Sequence, residues 1–324
     1  MTFHRALRIG TRGSSLAVTQ TGHVVDRLRA LGVAVEVETI TTRGDLSAPR
    51  PVGGLPGDGV FVRELEQALL DGRIDAAVHS LKDLPTAETP GLDLACVPLR
   101  AAPFDALVGR AGTTLASLPA GAVVGTSSVR RIVQLRRLRP DLVVRPVRGN
   151  VDTRLRNLDA GQYDGLILAA AGLERLGLGD RIVESLEPDA FWPAVGQGAL
   201  VVQIRTADDR ARGLIAPLDD PATHAAVRAE RACLAALAGG CLAPIGGWAR
   251  CDATGRLVLG ACVLEETTTG VRRITAEATE VSGAPAFDAA HAAALGRRVA
   301  EQLLRQGAVD MLASMRATGG TTFE

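Results

Sequence analysis

Apolar positions along the chain alternate between a spacing of two and a spacing of three to four, and the change marks the elements. Ala6 to Gly10 reads as a strand, followed by Thr11-Arg12-Gly13-Ser14-Ser15 and a stretch to about Leu31. Leu16, Val24, Leu28 and Leu31 fall near one helical face. Ser14 or Ser15 suits the N-cap, where a hydroxyl accepts an otherwise unpaired N–H. Val33, Val35 and Val37 then alternate with Ala34, Glu36 and Glu38, the pattern of a half-buried strand. Strand, loop, helix and strand in this order predict a parallel α/β unit, whose ligands bind at the carboxyl edge of the sheet.

The pattern continues in the same style. Thr42 to Gly59 is rich in Gly, Pro and Asp and reads as a long loop. Phe61 to Leu70 reads as an amphipathic helix and Ile74 to Val78 as a buried strand, which delivers His79-Ser80-Leu81-Lys82-Asp83 to the carboxyl edge. Leu92 to Val97 is a further strand, and Asp105 to Gly109 reads as a passage into a second domain. There Ala122 to Gly125 is a strand, Thr126-Ser127-Ser128 a hydroxyl-rich cap, and Val129 to Leu138 a helix that starts with Arg130-Arg131. Asp141 to Val147 is the next strand. Arg148-Gly149-Asn150 then opens a helix carrying Arg154 and Arg156, and Gly165 to Ala170 is a third strand. Pro193 to Gly198, with Gln197 between two glycines, reads as a hinge before a strand from Ala199 to Arg205. From Asp219 the character changes to a helix over Thr223 to Ala238, a Gly-rich loop holding Cys241, strands at Arg256 to Glu265 and Val271 to Val281, and a helix from about Ala286 to Leu304 after Pro285.

At 324 residues, 47% hydrophobic and 22% charged, the chain has core material for two or three domains. A net charge of zero excludes a whole-protein polyanion binder. The charge is uneven, however: nine arginines face two acids between Gly121 and Arg156, and Lys82 is the one lysine. Aromatic residues at 3% are too few to stack on bases, so no nucleic-acid partner is expected. Gly54 to Gly59 resembles a P-loop, but Val60 and Phe61 stand where Lys and Ser/Thr belong. Five cysteines form no CxxC or His-spaced zinc pattern, so no metal is expected and a reduced cytoplasmic setting is. The start of the sequence lacks the apolar run of a signal peptide, and no segment reads as membrane-spanning.

Candidate chemistry gathers at strand ends. Arg12 is placed to meet an anion, with a solvated surface arginine as the alternative. Lys82 beside Asp83 can bind a carboxylate while the acid moves a proton, although Lys-Asp pairs are common on surfaces. Ser128 with Arg130 and Arg131 at a helix N-terminus makes an anion site from N–H groups, hydroxyls and guanidiniums. Gly239-Gly240-Cys241 holds its thiol on a loop, where it is either a small buried hydrophobe or a nucleophile.

Seven segments together resemble the porphobilinogen deaminase family, also called hydroxymethylbilane synthase. They are Ile9 to Ser14, Phe61 to Glu66, His79 to Asp83, Gly125 to Arg131, Arg148 to Arg154, Pro193 to Ala199 and Gly239 to Gly246. The resemblance implies two periplasmic-binding-protein-like α/β domains flanking a cleft, plus a small C-terminal α+β domain. The expected boundaries are 1–99 with 200–217, 100–199, and 218–324. It implies a dipyrromethane cofactor joined to Cys241 by a thioether, and a monomer that condenses four porphobilinogens head to tail with loss of ammonia. Asp83 would be the catalytic carboxylate. Lys82, Ser14, Thr126, Ser127, Ser128, Arg130, Arg131 and Arg154 would hold the cofactor, and Arg12, Arg148, Phe61 and Gln197 the substrate. One departure stands out: Asp58 occupies a loop position where the family often has lysine. Two other readings stay open, a non-enzymatic anion-binding module and a Cys–His thiol enzyme using Cys241 and His79.

Overall fold

The computed structural model describes residues 5–42, 62–237, 243–280 and 287–317, of which 315–317 by backbone alone. The expectations for residues 43–61, for the Cys241 loop and for Pro285 lie outside the described residues. The chain opens with β1 (Leu7–Arg12), α1 (Ser15–Ala30), β2 (Val35–Ile40), α2 (Arg63–Leu70), β3 (Ala76–Ser80) and β4 (Leu92–Cys96). It continues with β5 (Asp105–Gly109), β6 (Val123–Gly125), α3 (Val129–Leu138), β7 (Val143–Arg145), α4 (Val151–Asp159), β8 (Gly165–Ala169), α5 (Ala170–Arg175) and β9 (Ile182–Leu186). Then come β10 (Leu200–Arg205), α6 (Asp209–Ile215), α7 (Pro221–Ala236), β11 (Ile245–Cys251), β12 (Leu257–Thr267), β13 (Gly270–Thr279), α8 (Ala289–Leu303) and α9 (Val309–Ala317). These elements form two compact units, Met1–Ala101 with Ala199–His224, and Ala102–Gly198 with Ala225–Glu324.

The first unit is one five-stranded sheet in the order β2-β1-β3-β10-β4. β1 runs parallel to β2 and β3, whereas β10 is antiparallel to β3 and β4. Strand alternation supplies an apolar layer on each face. Leu7, Ile9, Ala76 and Val78 pack with Val24, Val25 and Leu28 of α1, while Ala77 joins Ile40, Leu65, Leu69 and Ile74. Each fully buried Leu or Ile here contributes roughly 1.5–3 kcal/mol. A Cβ on Gly10 would stand 2.5 Å from Ile74 Cδ1 and force that side chain to shift, so the glycine lets β1 approach the layer as packed.

The second unit repeats the plan as β7-β6-β8-β5-β9 and adds the antiparallel meander β11-β12-β13. One face of the meander packs on α7 and α8 through Ala229, Cys233, Ile245, Leu259, Ala261, Val263, Leu295 and Val299. The whole is thus the expected mixed α/β fold, with two larger sheet-and-helix parts and a small three-stranded part.

Two sequence readings change. Asp105 to Gly109 is no passage: β5 is paired on both sides, to β8 and β9, and Ala106, Leu107 and Val108 are fully buried. The last long helix begins at Ala289 rather than Ala286, because Asp288 caps it by accepting from the N–H groups of Ala290 and His291.

Candidate active site

In the first unit, β1 and β3 are parallel neighbours, so both deliver their last residues to one edge. Arg12 ends β1 half-buried. Ser14 then caps α1, its Oγ accepting from Ala17 N at 3.3 Å. Beneath them Thr21 Oγ1 donates to Thr11 Oγ1 at 2.8 Å and fixes the strand-to-helix turn. At the end of β3, Ser80 Oγ donates to Gln20 Oε1 at 2.9 Å. A single 3₁₀ turn, Leu81–Asp83, follows. Leu81 anchors it, with a buried side chain and an N–H donated to Ala199 O at 3.0 Å. Leu84 N closes it on Leu81 O at 3.1 Å. The turn leaves Lys82 half-buried and Asp83 exposed at the sheet edge. His79, one residue before Ser80, is the opposite case. Burial pulls its pKa down to about 4, with the charge of Arg12 adding to the effect, so the ring is neutral and enclosed at pH 7.

In the second unit, β6 leads into Thr126-Ser127-Ser128 and α3. Ser127 Oγ donates to Val147 O at 2.8 Å and accepts from Val147 N at 3.1 Å, tying this corner to the end of β7. Thr126 Oγ1 accepts from Ser128 N at 3.3 Å. Ser128 is the N-cap of α3 but makes no side-chain cap bond. Arg130 and Arg131 are buried, and both turn onto Asp105. Arg130 Nη1 donates to Asp105 Oδ2 at 2.7 Å. Arg131 donates to Oδ1 through Nε at 2.9 Å and Nη2 at 2.6 Å, and to Ile167 O through Nη1 at 2.9 Å. Gln197 Nε2 reaches the same Oδ1 at 3.0 Å and Pro103 O at 2.7 Å. Arg154, on the first turns of α4, donates Nε to Gly149 O at 2.8 Å. Burial first and the charge of Arg131 second pull its pKa down to about 10. Arg148 lies half-buried just ahead of α4.

Two guanidiniums therefore share one carboxylate, and the charge of Arg131 acting on the buried Arg154 is a cost that a bound anion would relieve. Such a donor set fits a ligand whose rings each carry carboxylates, as those of a dipyrromethane do. Of the residues singled out from the sequence, the structure gathers Arg130, Arg131 and Gln197 on Asp105, sets Arg154 close to Arg131, and puts Lys82 and Asp83 in one turn. Phe61 and Cys241 lie outside the described residues.

Sequence reasoning missed three polar residues. Asp105 is 0% exposed, and as a lone acid heading an apolar strand it reads like a linker residue. Glu230, also 0% exposed, accepts from Gly196 N at 2.6 Å and Ala249 N at 2.9 Å, clasping the Gln197 loop and β11. Its signal was present, since Ala226, Glu230, Cys233 and Leu237 form one helical stripe. Arg175, whose pKa burial pulls down, donates Nη2 to Gly198 O at 2.7 Å.

Fold and charge together define an α/β protein that gathers arginines at the ends of its sheet strands. The family profile described as "Porphobilinogen deaminase, dipyromethane cofactor binding domain" matches residues 7–213, and "Porphobilinogen deaminase, C-terminal domain" matches residues 224–305. The chain belongs to the porphobilinogen deaminase family. Porphobilinogen deaminase of Roseiflexus castenholzii is 50% identical over 310 residues, covering 95% of this chain and 99% of that one. The Acidothermus cellulolyticus protein of the same name is 50% identical over 318 residues, covering 97% and 93%. That of Thermus thermophilus is 48% identical over 315 residues, covering 96% and 100%. Among solved structures, a periplasmic substrate-binding protein of an ABC transporter from Coxiella burnetii covers 67% of this chain and 94% of its own. Its TM-score is 0.40 at 17% identity.

Proposed function

We infer that this chain is an enzyme, a transferase that joins four porphobilinogen molecules head to tail with loss of ammonia and then releases hydroxymethylbilane by hydrolysis. The observation that carries this reading is the near-complete coverage of relatives of that name at about half identity, with both family segments matched in order.

A dipyrromethane held through a thioether at Cys241 would supply the pyrrole terminus from which the chain of new rings grows. The chain's own groups do the rest. Asp83, exposed at a rigid turn, can deliver a proton to the leaving amine and offset the cation left on the substrate ring. Lys82, next to it, binds a carboxylate as a compact point charge. Arg12 and Ser14 add a guanidinium and a hydroxyl at the same sheet edge. In the second unit, Arg130, Arg131 and Arg154 hold cofactor carboxylates, with Asp105 fixing the first two in place. Ser128 contributes its hydroxyl, while Thr126 and Ser127 act by shaping the corner that presents it. Arg148, Phe61 and Gln197 are assigned to substrate. The working division is 1–99 with 200–217, 100–199, and 218–324.

We further propose that the protein acts as a monomer in a reducing, cytoplasmic setting. Cys96, Cys233 and Cys262 support this as buried thiols whose pKa burial pushes up to about 12. Among the described residues, no helix is long and apolar enough to cross a membrane. Light scattering of the purified protein tests the monomer: a dimer mass at micromolar concentration contradicts it.

The functional test is incubation with porphobilinogen. One ammonia should appear for each ring consumed, together with hydroxymethylbilane. A binding module would take up porphobilinogen and release no ammonia. A Cys–His thiol enzyme would need His79 to reach a thiol, which its enclosed position opposes.

A further inference from the structure

Gln134 of α3 is 0% exposed and lies four residues after Arg130, one turn on along the same helical face. Its side-chain amide is spent on the main chain of a single residue. Oε1 accepts from Trp192 N at 2.6 Å, and Nε2 donates to Trp192 O at 3.1 Å. The placing of the two amide atoms is forced, because a peptide N–H only donates and a peptide oxygen only accepts. Trp192 belongs to no strand, and the amide replaces the pairing that a neighbouring strand would give it. The meander holds the same residue from the other side. A Cβ on Gly260 would come 2.5 Å from Trp192 Cη2 and one on Gly246 2.5 Å from Trp192 Cβ, while Gly247 N donates to Pro193 O at 3.0 Å.

Trp192 O has a second donor, Arg130 Nη1. The same nitrogen also donates to Asp105 Oδ2 at 2.7 Å. Both hydrogens of Nη1 are therefore turned inward, one by a carboxylate and one by a peptide oxygen. A guanidinium is planar and rigid, so two fixed acceptors on one nitrogen set the direction of the opposite edge, Nε with Nη2. Among the described residues that edge makes no hydrogen bond, and it is a fork able to take a carboxylate through two parallel bonds. Arg131 is used differently, with Nε and Nη2 both already on Asp105 Oδ1. Asp105 by itself leaves the Arg130 fork free to pivot about one bond. Trp192 O removes that freedom, and Gln134 holds Trp192 O in place.

We propose that Gln134 is a positioning residue: by pairing with the main chain of Trp192 it fixes the acceptor that aims the Nε–Nη2 fork of Arg130. The proposal rests on the reading above in which Arg130 holds a carboxylate of the cofactor. An amide is the side chain that suits the task. A carboxylate here would set two acceptors against each other at Trp192 O, and an aliphatic group would leave Trp192 N without its partner.

The test compares the purified full chain with Gln134→Leu, which keeps a similar size and removes both bonds. Intact mass gives the ratio of chains carrying two added pyrrole units to bare chains, and ammonia release gives turnover per loaded chain. Losing a buried hydrogen-bond partner is worth about tenfold or more in an equilibrium, so the loaded-to-bare ratio should fall by that factor. Turnover per loaded chain should fall with it, well below the melting temperature. A glutamine with a structural role alone would lower the melting temperature and leave both readouts unchanged in the chains that fold. Arg130→Lys separates the two routes. Lysine has no fork to aim, so adding Gln134→Leu to it should change the loaded ratio by less than about threefold. A full tenfold loss in that background overturns the proposal, as does a single variant within about threefold of the parent in both readouts. Where Arg130→Lys carries no cofactor, the crystal structure of Gln134→Leu decides: Arg130 Nη1 parted from Trp192 O supports the proposal, and an unchanged contact refutes it. If Gln134→Leu does not fold, Gln134→Glu takes its place, since it keeps the bond from Trp192 N and loses the donor to Trp192 O. A parent chain without added mass refutes the cofactor reading alone, and the same crystal structure then decides on Gln134.

Discussion

Asp105→Asn isolates the group on which the second unit's cations depend. The carboxylate has no exposure and accepts four N–H groups, from Arg130 Nη1, Arg131 Nε and Nη2, and Gln197 Nε2, at 2.6–3.0 Å. In the amide, one oxygen can still serve Arg131 and Gln197, but an NH₂ then faces Arg130 Nη1, donor against donor. Two buried cations also lose their counter-charge. Breaking a buried pair in this way costs about 3–5 kcal/mol, a large part of the about 5–15 kcal/mol that holds a typical protein together. Urea unfolding followed by circular dichroism should show the midpoint falling by that equivalent with an unchanged slope. The pH dependence is fixed in sign. Burial pushes the Asp105 carboxyl upward, but the charges of Arg130 and Arg131 outweigh it and hold it far below its ordinary 3.8. Its contribution is present above the unfolded value and is lost only as pH falls through the much lower folded one. The gap between parent and variant should therefore stay constant from neutral pH down to about 4. A loss under about 1 kcal/mol, or a gap that closes between pH 7 and pH 5, would refute the hub.

Asp83→Asn should leave the melting temperature near that of the parent, because the side chain is exposed. It should lower turnover by about 10²- to 10⁴-fold, and a rate within about threefold of the parent would remove Asp83 from the chemistry. Asp75 is pushed up by burial, but its bonds to the Arg8 side chain and backbone, with the charges of Arg8 and Arg5, bring it down to about 2. The stability gap between parent and Asp75→Asn should therefore be full above about pH 4 and shrink as pH falls from 3.8 toward 2; a gap unchanged at pH 2 contradicts this. Gly296→Ala should destabilise by about 1–3 kcal/mol or more in thermal melts, since the new Cβ would stand 2.2 Å from Ala229 O where α8 crosses α7. An unshifted melt would show that the helices part at little cost.

The α/β character was legible because the strands are short, apolar and separated by capped helices. The helix Val129–Leu138 matches residue for residue, since its apolar positions leave no competing frame. Other ends moved where local pattern competes with pairing. β2 runs from Val35 to Ile40, later than its valine alternation suggests, because β1 extends to Arg12 and the parallel register pairs Arg12 with Ile40. β9 and β11 passed unread: Ile182–Leu186 mixes Glu and Ser into an edge strand, and Ile245–Cys251 contains two glycines that leave space for Trp192 and Val195. The candidate arginines were visible as a cluster. That two of them point inward to a shared acid was not, because Asp105 is distant in sequence and nothing in its own segment marks it as buried.

The central claim is a covalent cofactor on Cys241, and the intact mass of the purified, active protein tests it most directly. The account predicts a mass above that of the bare chain by two pyrrole units, with the increment on the peptide containing Cys241. An active preparation whose mass equals the bare chain would contradict it.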